Sequence, residues 1–152
     1  MAIDKSKKYW HGDNAKDVAD YLDIYSENEI DKTVIVKCKQ CKSDTFSFRI
    51  DVEEGAIEVA CAECSYKVLL LDSEDYWEGC KPKNAKCPEC KKNHFNIAVG
   101  FIHRKKAGFF HRKNNDVKWV YIGNRCVACG ILGSYGDWSI KYGPTDKMEK
   151  NV

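Results

Sequence analysis

Cys38-Lys39-Gln40-Cys41 is followed, nineteen residues after its second cysteine, by Cys61-Ala62-Glu63-Cys64. Cys87-Pro88-Glu89-Cys90 is followed, thirty-five residues on, by Cys126-Val127-Ala128-Cys129. Eight of the nine cysteines thus fall into four identical short pairs. Two intervening residues let both sulfurs of one turn face the same point. Two such turns offer four thiolates, the donor set of a closed tetrahedral zinc site. The spacing therefore predicts two zinc ions. One would be held by Cys38, Cys41, Cys61 and Cys64, the other by Cys87, Cys90, Cys126 and Cys129.

The segments after the first pair of each set share a register. Four residues separate Cys41 from Phe46-x-Phe48-x-Ile50-x-Val52, and four separate Cys90 from Phe95-x-Ile97-x-Val99-x-Phe101. Strict two-residue alternation reads as a strand. The chain is thus a tandem repeat of one small unit, the second copy having sixteen extra residues (thirty-five minus nineteen) between its pairs.

This arrangement of C-x-x-C, hairpin and C-x-x-C resembles the zinc ribbon, or rubredoxin-like knuckle fold, over residues 33–71 and 87–142. The resemblance implies a mainly β protein of two zinc ribbons. It implies no particular activity, because such ribbons serve in transcription, translation, enzymes and protein docking. The stretch Arg125-Cys126-x-x-Cys129-Gly130 running to Asp137-Trp138-x-Ile140-x-Tyr142-Gly143-Pro144 is also similar to small bacterial ribbon proteins, some of which accompany toxins as immunity proteins.

The expected organisation is an N-terminal segment over 1–32, a first ribbon over 33–71, a linker over 72–86, a second ribbon over 87–144 and a frayed tail over 145–152. Asp13 or Asn14 can cap a helix from Ala15 to Tyr25, whose apolar stripe is Ala15, Val18, Ala19, Leu22 and Tyr25. Lys16, Asp17, Asp20 and Asp23 would form its solvated face. Thr33 to Val36 reads as a strand of the first ribbon. Glu53-Glu54-Gly55 reads as a hairpin turn. Gly79 and Pro82 argue against regular structure in the linker. Gly133 to Gly136 reads as a turn before a last strand over Trp138–Tyr142. Each ribbon is near the size where an apolar core alone is marginal, so metal binding becomes part of folding.

The net charge of +2 is unevenly placed. Residues 1–75 hold ten Lys/Arg against seventeen Asp/Glu (−7), and residues 76–152 hold fifteen against six (+9). The halves either attract each other or meet partners of opposite sign. Asp51, Glu53, Glu54, Glu58 and Glu63 form a candidate acidic docking face. Arg104, Lys105, Lys106, Phe109, Phe110, Arg112 and Lys113 form a basic, aromatic loop. That composition suits single-stranded nucleic acid, an acidic protein surface or a solvated hairpin tip.

No catalytic motif appears, and a four-thiolate zinc leaves no position for water, so the expectation is a binding protein and not an enzyme. The favoured partner is another protein, a toxin domain among the candidates. A nucleic-acid adaptor using residues 103–113 is the alternative, and a redox protein built on the C-x-x-C pairs is a third. Residues 1–8 lack the apolar core of a signal peptide and no run is long enough to span a membrane, so a reducing cytoplasmic setting is expected. Cys80 reads as a free thiol. His94, His103 and His111 read as solvated or hydrogen-bonded groups, since cysteines already complete both sites.

Overall fold

A computed structural model describes residues 3–26, 29–104 and 116–152. It is mainly β, with all of its strands antiparallel in one eight-stranded sheet. Helix α1 covers Ala15–Tyr25 as expected; of its stripe Ala15, Val18 and Leu22 are buried and Ala19 half-buried, while Tyr25 is exposed. Asn14 caps it by accepting the Asp17 amide, and Asp17 closes the capping box. That corrects the assignment of Asp17 to the solvated face. Its carboxylate accepts from the amides of Asp13 (2.7 Å) and Asn14 (3.4 Å), and the residue is buried.

The first hairpin is β2 (Phe46–Asp51) and β3 (Ala56–Cys61), extended by β4 (Lys67–Leu69). Phe46, Phe48 and Ile50 point inward, as the alternation requires, and Gly55 turns the hairpin at φ 73°. The second hairpin is β6 (Phe95–His103) and β7 (Val117–Cys126), extended by β8 (Leu132–Ser139).

Strand β6 departs from simple alternation, because every residue from Phe95 to Ile102 is buried. Both of its faces are covered. Phe95, Ile97, Val99 and Phe101 join the core shared with the first hairpin, while Ala98 and Ile102 pack with Val18 and Leu22 of α1. Close approach of α1 to β7 depends on Gly123, where a Cβ would lie 2.8 Å from Leu22 Cγ.

The two copies meet in one row of the sheet. Phe46 pairs with Cys61 on one side and Phe95 on the other, and Phe95 pairs onward with Cys126. Strand β1 (Lys32–Ile35) precedes the first cysteine pair, yet it pairs with β6 of the second copy, Val34 opposite Val99. The sequence grouped this strand with the first ribbon. The apolar edge of β6 recruits it instead.

Three further expectations change. Residues 72–86 contain 3-10 turns at Ser73–Asp75 and Trp77–Gly79 and a short strand β5 (Lys83–Asn84) paired with β2. Residues 133–136 are not a turn, since β8 runs through them with a register shift opposite Ile122 and Gly123. Nor is the C-terminal stretch frayed. It forms α2 (Asp146–Lys150), with Met148 fully buried and Thr145 Oγ1 accepting the Val117 amide at 2.7 Å. One apolar side chain and a few hydrogen bonds suffice to dock so short a segment.

Two candidate metal centres

Each C-x-x-C pair builds the same turn. The amide five residues into each turn closes back on its start: Lys42, Ser65, Lys91 and Gly130 donate to the carbonyls of Cys38, Cys61, Cys87 and Cys126 at 2.7–3.0 Å. The amides of those four cysteines in turn donate to the carbonyls of Ser43, Tyr66, Lys92 and Ile131. The residue after each second cysteine has left-handed backbone, with φ of 68° at Lys42, 66° at Ser65, 66° at Lys91 and 84° at Gly130. That reversal brings both thiols of a turn to one side. It costs a non-glycine residue about 1–2 kcal/mol, which the turn's hydrogen bonds offset. Glycine is used only in the fourth turn, where a Cβ would stand 3.0 Å from the Gly12 carbonyl oxygen.

The turns assemble into two tetrads. Cys38, Cys41, Cys61 and Cys64 form one and Cys87, Cys90, Cys126 and Cys129 the other, with the sulfurs in each within 4.8 Å of one another. The closest approaches are equivalent in the two, 3.5 Å for Cys38–Cys64 and Cys41–Cys61, and 3.5 Å for Cys87–Cys129 and Cys90–Cys126. Four sulfurs at tetrahedral corners around a zinc ion, with Zn–S near 2.3 Å, would stand about 3.8 Å apart. The donor sets therefore fit a metal ion, and backbone amides support the sulfurs, Glu63 N–H on Cys61 Sγ (3.4 Å) and Cys90 N–H on Cys87 Sγ (3.5 Å).

Protonation follows the crowding. The Cys41 amide, against partial desolvation, lowers the Cys38 thiol to about 6. The Tyr66 amide pulls Cys64 down, but desolvation and the sulfurs of Cys38, Cys41 and Cys61 outweigh it and push that thiol up to about 12. Burial opposes ionisation of Cys87, yet the amides of Cys90 and Glu89 bring it to about 7. Burial first, then the sulfurs of Cys87 and Cys126, push Cys129 up to about 12. In each tetrad some thiols are eased toward ionisation by backbone amides while others are held back by burial and by their neighbouring sulfurs. A bound cation removes that conflict, because it meets all four negative sulfurs at once.

Cys80 stands apart. Its Sγ donates to the Trp77 carbonyl at 3.2 Å, and desolvation together with Asp51 raises its thiol above the usual range. It is a protonated, weakly nucleophilic thiol.

The other predicted residues fall into two groups. In the acidic set, Asp51 accepts from the amides of Glu54 and Lys81, and Glu58 binds Arg49 at 2.8 Å, so both stabilise the hairpin. Glu53, Glu54 and Glu63 are exposed. In the basic set, Arg104 donates to the Ile140 carbonyl at 2.5 Å. Lys105, Lys106, Phe109, Phe110, Arg112 and Lys113 lie outside the described residues, as does His111. His103 sits between Asp31 (3.7 Å) and Glu149 (3.1 Å).

Arg125 is a site residue that spacing arguments passed over. Its Nε donates to the Gly12 carbonyl at 2.6 Å and its Nη1 to Asn96 Oδ1 at 3.0 Å. It clamps the N-terminal segment onto the last cysteine turn, where Gly12 N–H also donates to the Gly130 carbonyl at 2.8 Å. Its place directly before Cys126 was the available signal.

Comparison with protein-family models, curated proteins and solved structures gave no match. Among the described residues, no helix is long and apolar enough to cross a membrane.

Proposed function

We propose that this chain is a zinc-binding docking protein, with two zinc ions held in closed four-cysteine sites and no catalytic role. The observation that carries the zinc reading is the convergence of four sulfurs within 4.8 Å at each of two places. Zinc suits the donor set because it is borderline-soft and has no geometric preference beyond the tetrahedron the sulfurs offer. Within each site the cysteines would neutralise and tether the ion, filling every coordination position. The metal would then supply cohesion between distant turns and no reactive water.

The docking role rests on charge. The first copy presents Glu53, Glu54 and Glu63 to solvent on a half that carries a net −7 (ten minus seventeen). Such a surface suits a basic protein partner. The finer version, a toxin domain neutralised through its basic face, is supported by that complementarity alone. The second reading, a nucleic-acid adaptor, draws on the basic composition of residues 104–113.

Elemental analysis of purified protein tests the first part, with two zinc equivalents per chain expected and none refuting it. Fluorescence anisotropy with labelled oligonucleotides separates the partner classes. Salt-sensitive binding that is lost when Arg104, Lys105 and Lys106 become alanine would move the assignment to nucleic acid. Indifference to oligonucleotides leaves the protein-docking reading standing.

A further inference from the structure

The two tetrads have the same ligands and the same shortest sulfur separations, 3.5 Å in both pairs of each. They differ in cover. In the first, Cys38 and Cys61 are buried but Cys41 and Cys64 are exposed. In the second, Cys87 and Cys126 are buried and Cys90 and Cys129 are partly buried. The source of the difference is visible. The end of the last turn of the second tetrad, at Gly130 and Ile131, lies against the N-terminal segment, with His11 bridged to Ile131, Gly12 hydrogen-bonded to Gly130 and Arg125 donating to the Gly12 carbonyl, while Val127 and Ala128 stay exposed. In the first tetrad, the matching turn is open. Glu63, Cys64, Ser65, Tyr66 and Lys67 are all exposed, and its backbone bonds stay within its own hairpin.

We infer that the first tetrad is an exchangeable metal site, open to thiol-rich metal acceptors, and that the second releases its metal more slowly. The inference rests on the two-zinc reading and adds a functional difference between the sites. A metal–thiolate bond exchanges when an incoming donor reaches the ion as a resident sulfur leaves. Access to the sulfur limits that step when the ligand sets are equal. Cys64 or Cys41 would give up its position to an external thiol, whose proton would pass to the released cysteine. No electron is transferred, so no oxidant or reductant is needed. Cys38 and Cys61, buried beneath, keep their hold until the second exchange. At the second tetrad the outer sulfurs, Cys90 and Cys129, are partly covered, so an incoming donor has a narrower approach, and on the Gly130 side the N-terminal segment stands beside it.

Release of the first ion would remove the tie between the Cys38–Cys41 and Cys61–Cys64 turns and leave the ion of the second tetrad in place. The first hairpin would loosen at its end while the second tetrad keeps the shared row of the sheet, Phe46 beside Phe95, in place.

The test uses the full chain as purified with zinc. Released metal is followed with the chromophoric chelator 4-(2-pyridylazo)resorcinol, and a second sample is pulsed with iodoacetamide and mapped by peptide mass. One zinc equivalent should leave more than about tenfold faster than the other. Cys41 and Cys64 should be alkylated before Cys90 and Cys129. Release of both equivalents in one phase, or alkylation in the reverse order, would overturn the inference. Arg125→Ala, with the fold checked by circular dichroism, should speed the slow phase alone. An unchanged slow phase would overturn the N-terminal cover as its cause. Failure of the underlying zinc reading looks different, since that protein would carry no metal before any chelator is added.

Discussion

Phe46 and Phe95 stand opposite each other at the single ladder step that joins β2 to β6, with Cys61 next to one and Cys126 next to the other. Both rings are almost fully buried, 2 % and 1 % exposed. Phe48 and Tyr135 pack edge-on against Phe95, with centroids 5.2 Å (Phe48–Phe95) and 5.9 Å (Phe95–Tyr135) apart. The row couples the two metal centres through packed side chains and backbone. Phe95→Ala should therefore cost about 3–5 kcal/mol and weaken metal retention at both tetrads. Urea unfolding of the zinc-loaded protein, read with chelator competition, measures both. A loss confined to one tetrad would contradict the coupling.

Removing one thiol should remove one ion. Cys87→Ser leaves three sulfurs in the second tetrad, and the protein should then bind about one zinc in place of two. Because structural zinc supplies on the order of 10 kcal/mol or more, this variant should unfold well below the parent. Mass spectrometry under native conditions reads the stoichiometry and calorimetry the melting point.

The cysteine turns offer a paired test of backbone strain. Gly130 combines φ 84° with a Cβ position 3.0 Å from the Gly12 oxygen. Gly130→Ala should destabilise by about 1–2 kcal/mol. Lys91 holds the equivalent place at φ 66°. Lys91→Gly should shift stability by less than about 0.5 kcal/mol, as a relaxed φ offsets the extra chain entropy. Equal effects from the two would refute the strain argument.

Asp72 gives a pH signature. The residue is 2 % exposed, Tyr142 O–H donates to its Oδ2, and Oδ1 has no hydrogen-bond partner among the described residues. Burial raises its carboxyl above the ordinary value of 3.8, against the lowering by Tyr142. A folded-state pKa above the unfolded one favours the protonated acid. Its contribution is thus most favourable below the unfolded value and declines as pH rises through the folded one. Asp72→Asn removes the buried charge. The variant should melt above the parent at neutral pH, with the gap closing toward pH 4. A gap that widens on acidification would show the sign to be wrong.

Much of this was legible in the residues because the strongest signals were local. Four cysteine pairs named their own turns, the Phe46–Phe48–Ile50 alternation named a strand, and Asn14, one of two candidate caps, marked the start of α1. What escaped was non-local. Alternation at Phe95–Phe101 describes one buried face and is silent about the other, which α1 covers over Ala98 and Ile102. Gly133 and Gly136 looked like turn residues, yet a sheet tolerates them where side chains from elsewhere come close, as Val52 does to Gly136. Met148 sits among charged neighbours, so no periodicity announced that it would be buried.

Strand β1 belongs to one copy by position in the chain and to the other by hydrogen bonding. Severing the polypeptide between the two cysteine sets would strand β1 on the wrong fragment and bare the flank of β6. Neither fragment should behave as a self-sufficient miniature of the whole. A repeated unit that trades a strand with its twin behaves as one folding body, although the cysteine turns and the strands that follow them keep the same pattern in both copies.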